Sequence, residues 1–118
     1  MSIDVVIVDD DARFRRLATA LLTRSGCTVV AAAPDGASGI EAARRLAPDG
    51  MLLDVNLPDR DGLAVARELR GADQPISIVL TSTELIPWSE RELADAGVRA
   101  FVAKEALPDA DLPSLFSS

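Results

Sequence analysis

The sequence contains no histidine, and it has one cysteine, one tryptophan and one lysine in 118 residues. Without histidine, the chain lacks the side chain that most often acts as a general base near neutral pH, and it has no phosphohistidine of its own to donate. Cys27 has no partner for an intrachain disulfide, so we expect it to fill a small apolar position on a strand. Lys104 stands among eleven arginines, which favours a compact ammonium at that position.

Long apolar runs and excess positive charge are also absent. No stretch approaches the roughly 18 apolar residues of a membrane span, and no basic leader opens the chain. The net charge of −7 argues against direct binding of nucleic acid through phosphate contacts. A length of 118 residues with 48% hydrophobic and 26% charged residues is typical of one globular domain. We therefore expect a cytoplasmic protein with one domain over residues 1–118 and no membrane contact.

The chain alternates apolar strands with helical segments. The predicted strands lie near Ile3–Val8, Thr28–Ala33, Met51–Leu53, Ile76–Leu80 and Arg99–Ala103. The first, third and fourth are short continuous apolar runs, as expected where helices cover both faces of a parallel sheet. The pattern predicts an α/β fold, a doubly wound parallel sheet of five strands in the order 2-1-3-4-5.

The segments between the strands have helical spacing. In the first helix, Phe14, Leu17 and Leu21 share a predicted apolar face, and Gly26 ends the helix. Capping boxes are predicted at the starts of two later helices, formed by Ser38 with Glu41 and by Ser89 with Glu92. A short fifth helix is predicted from about Pro108.

Each of four predicted strands is followed by a residue suited to binding a metal or a phosphoryl group. Asp9 and Asp10 follow the first strand, Asp54 the third, Thr81 the fourth and Lys104 the fifth. Open α/β sheets bind ligands at the carboxyl ends of their strands, near the point where strand order reverses. Because the first and third strands are neighbours in the predicted order, the three carboxylates should converge there.

Three converging carboxylates repel one another unless a cation lies between them. Mg²⁺ prefers oxygen ligands and suits this set better than zinc, for which the chain offers no histidine and no cysteine cluster. Asp54 is then a candidate nucleophile toward a phosphoryl group. Lys104 and the Thr81 hydroxyl are candidates to neutralise charge on the phosphoryl oxygens.

Four motifs in order give the chain its resemblance to a known family. They are Val-Asp-Asp after the first strand, Leu-Leu-Asp-Val-Asn-Leu-Pro-Asp-Arg-Asp-Gly around the third, Leu-Thr-Ser after the fourth, and Phe-Val-Ala-Lys at the fifth. At these separations the chain resembles the receiver domain of a two-component response regulator, of the stand-alone type without an output domain, which has a flavodoxin-like fold. The resemblance covers essentially the whole chain.

The resemblance implies a role for each residue of the predicted site. Asp54 would accept phosphate from a phosphohistidine on a histidine kinase or a histidine phosphotransfer protein. Asp10 and Asp54 would bind Mg²⁺ directly together with the backbone carbonyl of Asn56, while Asp9 would act mainly through water. Lys104 would pair with the phosphoryl group.

The resemblance also implies a switch that a downstream protein reads, or a relay of phosphate. Thr81 would move toward the phosphoryl group, and Phe101 on the fifth strand would turn inward, although Phe101 is equally well explained as a core residue. The chemistry would be limited to phosphorylation of the protein itself and loss of that phosphate, so no enzyme acting on an external substrate is expected. We expect a monomer or a weak homodimer.

Two features depart from the family pattern or leave its interpretation open. Glu105 stands where proline usually follows the lysine, so a trans peptide is expected there. The run Leu85–Trp88 is either a docking patch or a segment in which Trp88 folds back on the short fourth helix.

Two other functions compete with the phosphorylated receiver. The first is a docking module with the same fold that binds its partner independently of phosphate. The second is a magnesium-dependent phosphohydrolase, but such enzymes often have a second acid two residues after the nucleophile, where this chain has Asn56.

Overall fold

A computed structural model describes residues 2–71 and 73–117 of the chain. The strands are β1 (Ile3–Val8), β2 (Cys27–Ala33), β3 (Gly50–Asp54), β4 (Ser77–Ser82) and β5 (Val98–Ala103). They form one parallel sheet in the order β2-β1-β3-β4-β5. The predicted strand order and fold class are therefore confirmed, and Cys27 is a buried strand residue as expected.

Helices cover both faces of this sheet. They are α1 (Ala12–Arg24), α2 (Gly36–Leu46), α3 (Gly62–Leu69), α4 (Glu90–Asp95) and α5 (Leu112–Phe116), with a 3₁₀ helix at Lys104–Asp109. Of the helices within the described ranges, none is both long enough and apolar enough to cross a bilayer.

Alternate residues of the central strands point to opposite faces of the sheet and build two cores. One core joins the sheet to α2, α3 and α4 and includes Val6, Val8, Leu53, Leu80, Ile40, Leu63 and Leu93. The other joins it to α1 and α5 and includes Val5, Ile7, Leu52, Val79, Phe14, Leu22 and Phe116. Packing on both faces of the sheet holds the strand ends in position, and with them the residues that follow each strand.

The predicted apolar face of α1 is wrong at one residue. Leu17 is 54% exposed, while the buried side of the helix consists of Phe14, Ala18 and Leu22. The face is therefore rotated toward Ala18, whose small side chain lets the helix approach the sheet closely. The predicted end of α1 is confirmed, because Gly26 follows it with a φ of +95°, the left-handed conformation that favours glycine.

The predicted capping box of α2 is also wrong. Asp35 is the N-cap, and its side chain accepts a hydrogen bond from the Ser38 backbone N–H. Glu41 instead pairs with Arg45 one turn later on the helix surface. Asp35 precedes Gly36, the first helical residue, so it reaches the free N–H groups that Ser38 cannot reach from inside the helix.

The fourth and fifth helices are short. The capping box of Ser89 and Glu92 is present at the start of α4 and confirms that prediction. The predicted helix from Pro108 starts in the wrong place, because Pro108 lies in the 3₁₀ helix and extended Ala110 separates that helix from α5. No cis peptide occurs in the described ranges, so the expected trans bond after Lys104 is confirmed.

Candidate functional site

The carboxyl ends of β1 and β3 bring the predicted acids together. Val8 at the end of β1 pairs with Leu53, so Asp9 and Asp54 follow side by side at the same edge of the sheet. Asp9, Asp10 and Asp54 each offer a carboxylate oxygen, and these atoms lie within 4.8 Å of one another. Such a group of hard oxygen ligands at a strand-order switch point is suited to a divalent cation.

Lys104 lies at the same edge, directly after β5. Its ammonium Nζ is 2.7 Å from Asp9 Oδ2 and 3.9 Å from Asp54 Oδ1. The lysine side chain is 16% exposed, and Asp9 is fully buried. The ammonium therefore lies between two of the three carboxylates and neutralises part of their charge in a setting poorly screened by water.

The environment of Asp54 disfavours its ionised form. Burial is the largest cause that raises its pKa, to about 6, and the charge of Asp9 and more weakly that of Asp10 act in the same direction. Lys104 and a hydrogen bond from the backbone N–H of Asn56 oppose the rise. Burial together with the two neighbouring carboxylates therefore outweighs the attraction of Lys104, and an added cation would favour the ionised form of Asp54.

The backbone around Asp9 is held from α1. Asp9 Oδ1 accepts a hydrogen bond of 2.8 Å from the backbone N–H of Asp11, and Arg15 Nη1 donates to the Asp9 carbonyl at 2.6 Å. Asp9 Oδ2 accepts no hydrogen bond from the described residues, and its close contact is the ion pair with Lys104. One oxygen of Asp9 is thus fixed, and the other faces the cluster.

The loop after Asp54 is tied down on both sides. Val55 N–H donates to the Thr81 carbonyl at 3.0 Å, and Gly62 N–H donates to the Val55 carbonyl at 2.7 Å. A Cβ at residue 62 would lie 2.7 Å from the backbone oxygen of Asp54, so only glycine allows this approach. Asn56 bridges to Asp61 within this loop.

Asp59 fastens the same loop to α2. Its two carboxylate oxygens accept hydrogen bonds from the backbone N–H groups of Gly36 and Ala37, at 2.8 and 2.9 Å. The hydrogen bond from Gly36 is the largest cause that lowers the pKa of Asp59. This contact was not predicted, because nothing in the sequence indicates which loop acid reaches the start of a helix distant in the chain.

Thr81 pairs with Asp54 across the β3–β4 ladder and is fully buried. Its hydroxyl has no hydrogen-bond partner among residues 2–71 and 73–117. A buried polar group without a partner costs about 1 to 3 kcal/mol. The hydroxyl is thus available to a group that enters the site.

Phe101 lies farther from the acids, on β5 opposite Leu80. It is half-buried and packs against the core beneath α4 together with Ile86 and Trp88. Trp88 thus folds back against the protein, while Leu85 in the same run is 99% exposed. In this run Leu85 and Pro87 are exposed, whereas Ile86 and Trp88 are partly buried against the core.

Phe14 contacts the site, although the sequence predicts it only as a core residue. The Lys104 ammonium lies 4.1 Å from the centroid of its ring. The helical spacing of α1 correctly predicts a buried Phe14 but gives no sign of the contact, since Lys104 is far away in the chain. Lys104 therefore touches two carboxylates and one aromatic ring.

Comparison with known proteins agrees with this geometry. The response regulator receiver domain family matches residues 5–114. The chain is 28% identical over 111 residues to the chemotaxis protein CheY of Bacillus subtilis, covering 94% of this chain and 92% of that protein. It is 39% identical over 116 residues to a protein-glutamate methylesterase/protein-glutamine glutaminase of Archaeoglobus fulgidus, covering 96% of this chain but only 32% of that protein.

Solved structures give the same result. The beryllofluoride-activated receiver domain of RstA from Klebsiella pneumoniae is similar with a TM-score of 0.81 and 31% identity, covering 95% of this chain and 94% of that one. The chemotaxis response regulator CheY4 of Vibrio cholerae is similar with a TM-score of 0.81 and 25% identity, covering 98% of this chain and 99% of that one. With its acidic cluster at the edge of a 2-1-3-4-5 sheet, the chain belongs to the response regulator receiver domain family of two-component signal transduction.

Proposed function

We propose that Asp54 accepts a phosphoryl group from a phosphohistidine of a histidine kinase or histidine phosphotransfer protein. The observation that supports this most strongly is the position of its carboxyl group. Asp54 is 6% exposed, it shares a cluster with Asp9 and Asp10, and Lys104 Nζ lies 3.9 Å from its Oδ1. A carboxylate held beside a cation at the rim of the sheet can attack phosphorus, and the cation can balance charge on the phosphoryl oxygens.

The proposed reaction is a simple transfer. An Asp54 carboxylate oxygen forms a bond to phosphorus while the P–N bond of the donor breaks, and the electron pair of that bond leaves with the imidazole nitrogen. Lys104 and the Thr81 hydroxyl bind phosphoryl oxygens. The phosphoryl group is later lost by hydrolysis, in which a water oxygen bonds to phosphorus, the Asp54 carboxylate leaves, and inorganic phosphate is released.

Mg²⁺ fits the donor set of this site. Asp10, Asp54 and the backbone carbonyl of Asn56 would hold it directly, and Asp9 would act through water. The three carboxylates lie within 4.8 Å of one another, and burial together with Asp9 and Asp10 raises the pKa of Asp54 to about 6, so a cation at this position would stabilise the ionised form of Asp54. When bound, the ion supplies charge neutralisation for the carboxylates and for the transferred group.

The phosphorylated protein would act by presenting a changed surface to a partner protein, or by passing phosphate on. The unpartnered hydroxyl of Thr81 supports movement toward a phosphoryl oxygen. Phe101 packs with Ile86 and Trp88 beside α4, so movement at the site has a short path to this part of the surface. The chemistry on this proposal is confined to the protein's own Asp54.

The test is labelling by acetyl phosphate in the presence and absence of Mg²⁺, measured as an increase in intact mass. We expect wild type to gain one phosphoryl group only with Mg²⁺, and Asp54→Asn to gain none. Asp73→Asn is the matched control, because Asp73 is an exposed acid before β4, at the opposite edge of the sheet. It should be labelled like wild type.

Other outcomes identify the competing functions. If wild type is not labelled, and binding to a partner is the same with Asp54→Asn, with Mg²⁺ and with beryllofluoride, the protein is a docking module. If wild type releases phosphate steadily from a phosphorylated metabolite, it is a phosphohydrolase.

A further inference from the structure

We propose that the ring of Phe14 positions the Lys104 ammonium and thereby sets the rate at which Asp54 is phosphorylated. The inference rests on the proposed phosphoryl transfer and assigns a positioning role to a residue outside the acidic cluster. It is carried by one juxtaposition, in which Nζ of Lys104 lies 4.1 Å from the ring centroid, 2.7 Å from Asp9 and 3.9 Å from Asp54.

The ammonium has two unequal carboxylate neighbours. Its contact with Asp9 Oδ2 at 2.7 Å is a full ion pair, whereas the distance of 3.9 Å to Asp54 Oδ1 is longer than a hydrogen bond. With only these two partners, the flexible lysine side chain would be drawn to Asp9. Neutralisation of the cluster by a divalent cation weakens that attraction and leaves the four-carbon chain free to move toward water.

An aromatic ring acts differently from a third acid. Its face attracts the ammonium through the ring quadrupole but accepts no strong hydrogen bond, so the N–H donors remain available to a phosphoryl group. It also adds no negative charge to a site that already holds three carboxylates within 4.8 Å of one another. Phe14 therefore holds the cation in place through a contact that does not depend on the charge state of the acids.

The ring itself is fixed by its surroundings. Phe14 is 8% exposed and belongs to the core that joins α1 to the sheet, together with Ala18 and Leu22. The N-cap Asp11 accepts hydrogen bonds from the backbone N–H groups of Arg13 and Phe14, at 2.9 and 3.4 Å. A ring anchored in this way can restrain a long side chain that enters from β5.

The contact is measured first in solution. Lys104 is the only lysine of the chain, so protein grown with isotope-labelled lysine gives NMR signals from this one lysine side chain. We expect the methylene protons beside Nζ to be shifted upfield by the ring current in wild type and in Phe14→Tyr. In Phe14→Leu they should return to the position of a free lysine. An unshifted signal in wild type would overturn the proposal.

The rate is measured next, by labelling with acetyl phosphate at saturating Mg²⁺. Loss of one well-placed cation–π contact corresponds to about a tenfold lower rate constant for Phe14→Leu. Phe14→Tyr should keep most of the wild-type rate. Leu22→Ala is the control for packing, because Leu22 lies on the same buried face of α1 and away from Lys104. It should lose stability but keep its labelling rate.

A double-mutant cycle separates positioning from packing. Lys104→Met removes the cation with little change in length, so adding Phe14→Leu to it should lower the rate no further. An equal tenfold loss in the Lys104→Met background would mean that the ring acts through the core, and the proposal would be wrong. Failure of wild type to be labelled refutes the proposed function, whereas a labelled wild type with an unaffected Phe14→Leu refutes only this inference.

Discussion

Replacing Asp54 by asparagine should stabilise the metal-free protein at neutral pH, although it removes the proposed phosphoacceptor. Folding raises the pKa of Asp54 from its model-compound value of 3.8 to about 6. Ionisation is therefore harder in the folded protein than in the unfolded chain. At about 1.4 kcal/mol per pKa unit, the carboxylate destabilises the fold by about 3 kcal/mol once it is fully ionised. Asparagine has a similar shape and carries no charge, so it avoids this cost.

The pH dependence follows from the direction of the shift. Since the folded protein binds the Asp54 proton more tightly, the associated stability is fully present below the unfolded pKa of 3.8. It is lost as the pH rises through about 6, and the loss is complete above about pH 7. The difference in free energy of unfolding between Asp54→Asn and wild type should therefore be near zero at about pH 4 and grow to about 3 kcal/mol above about pH 7.

Urea denaturation across this pH range, in the presence of a chelator, measures the difference. Subtracting the variant from wild type removes the contribution of the other carboxylates, provided that m is unchanged. Asp73→Asn is the control and should give a difference that does not vary with pH. Mg²⁺ should then stabilise wild type by about 2.7 kcal/mol at about 100 times its Kd and leave Asp54→Asn nearly unchanged. If metal-free wild type is the more stable protein at neutral pH, the attraction of Lys104 outweighs burial and repulsion, and the reasoning fails.

Three further substitutions test separate parts of the site. Lys104→Met should slow labelling by acetyl phosphate about 100-fold, because an electrostatic contact to the transferred group is lost. It should also tighten Mg²⁺ binding in a calorimetric titration, because the competing cation is gone. Looser Mg²⁺ binding would contradict this. Thr81→Val removes a buried hydroxyl without a partner, so the free energy of unfolding should rise by about 1 kcal/mol. In this variant beryllofluoride should no longer change Trp88 fluorescence. A retained fluorescence change would contradict the proposed switch. Asp59→Asn weakens the hydrogen bonds from Gly36 and Ala37, so the urea midpoint should fall at neutral pH. Because the pKa of Asp59 is lowered in the fold, this loss of stability should shrink as the pH falls. A loss that is constant with pH would mean that the charge of Asp59 is irrelevant.

The strands and their order could be predicted because they depend on patterns that burial imposes. Strands covered on both faces must be apolar throughout, as in Val5 to Val8. The residues that follow such strands then lie at one edge, so the sequence predicts that Asp9, Asp54 and Lys104 lie together. The convergence of the acids at the ends of adjacent strands follows from the strand order alone.

The errors and omissions have a different physical origin. Helical spacing predicts Leu17 on the buried face with Phe14 and Leu21, but the sheet accepts the small Ala18 at closer range, and Leu17 stays 54% exposed. The N-cap of α2 was assigned to Ser38 although Asp35 offers the same kind of oxygen three residues earlier. In both cases two residues satisfy the same local rule, and only the tertiary contact selects between them.

The contacts that sequence reasoning missed join distant parts of the chain through side-chain geometry. Phe14 of α1 meets Lys104, which follows β5, and Asp59 of the loop before α3 meets the start of α2. Periodicity describes which face of an element is apolar, but it carries no information on which side chain of another element lies above that face.

The polar atoms left without hydrogen bonds define where the protein can gain most from a ligand. Within the described ranges, Thr81 Oγ1 is a buried side-chain oxygen without a polar partner, whereas Asp9 Oδ2, which also accepts no hydrogen bond, is paired with the Lys104 ammonium at 2.7 Å. Both atoms lie at the edge that holds Asp54. Because a divalent cation beside the carboxylates and a phosphoryl group beside Thr81 carry opposite charges, each should raise the affinity for the other. If beryllofluoride tightens the binding of a partner protein by some factor, the same linkage requires that this partner raise the affinity for beryllofluoride by that factor. A factor clearly above one would show that the site and the partner surface are coupled, whereas a factor of one would show that they are independent.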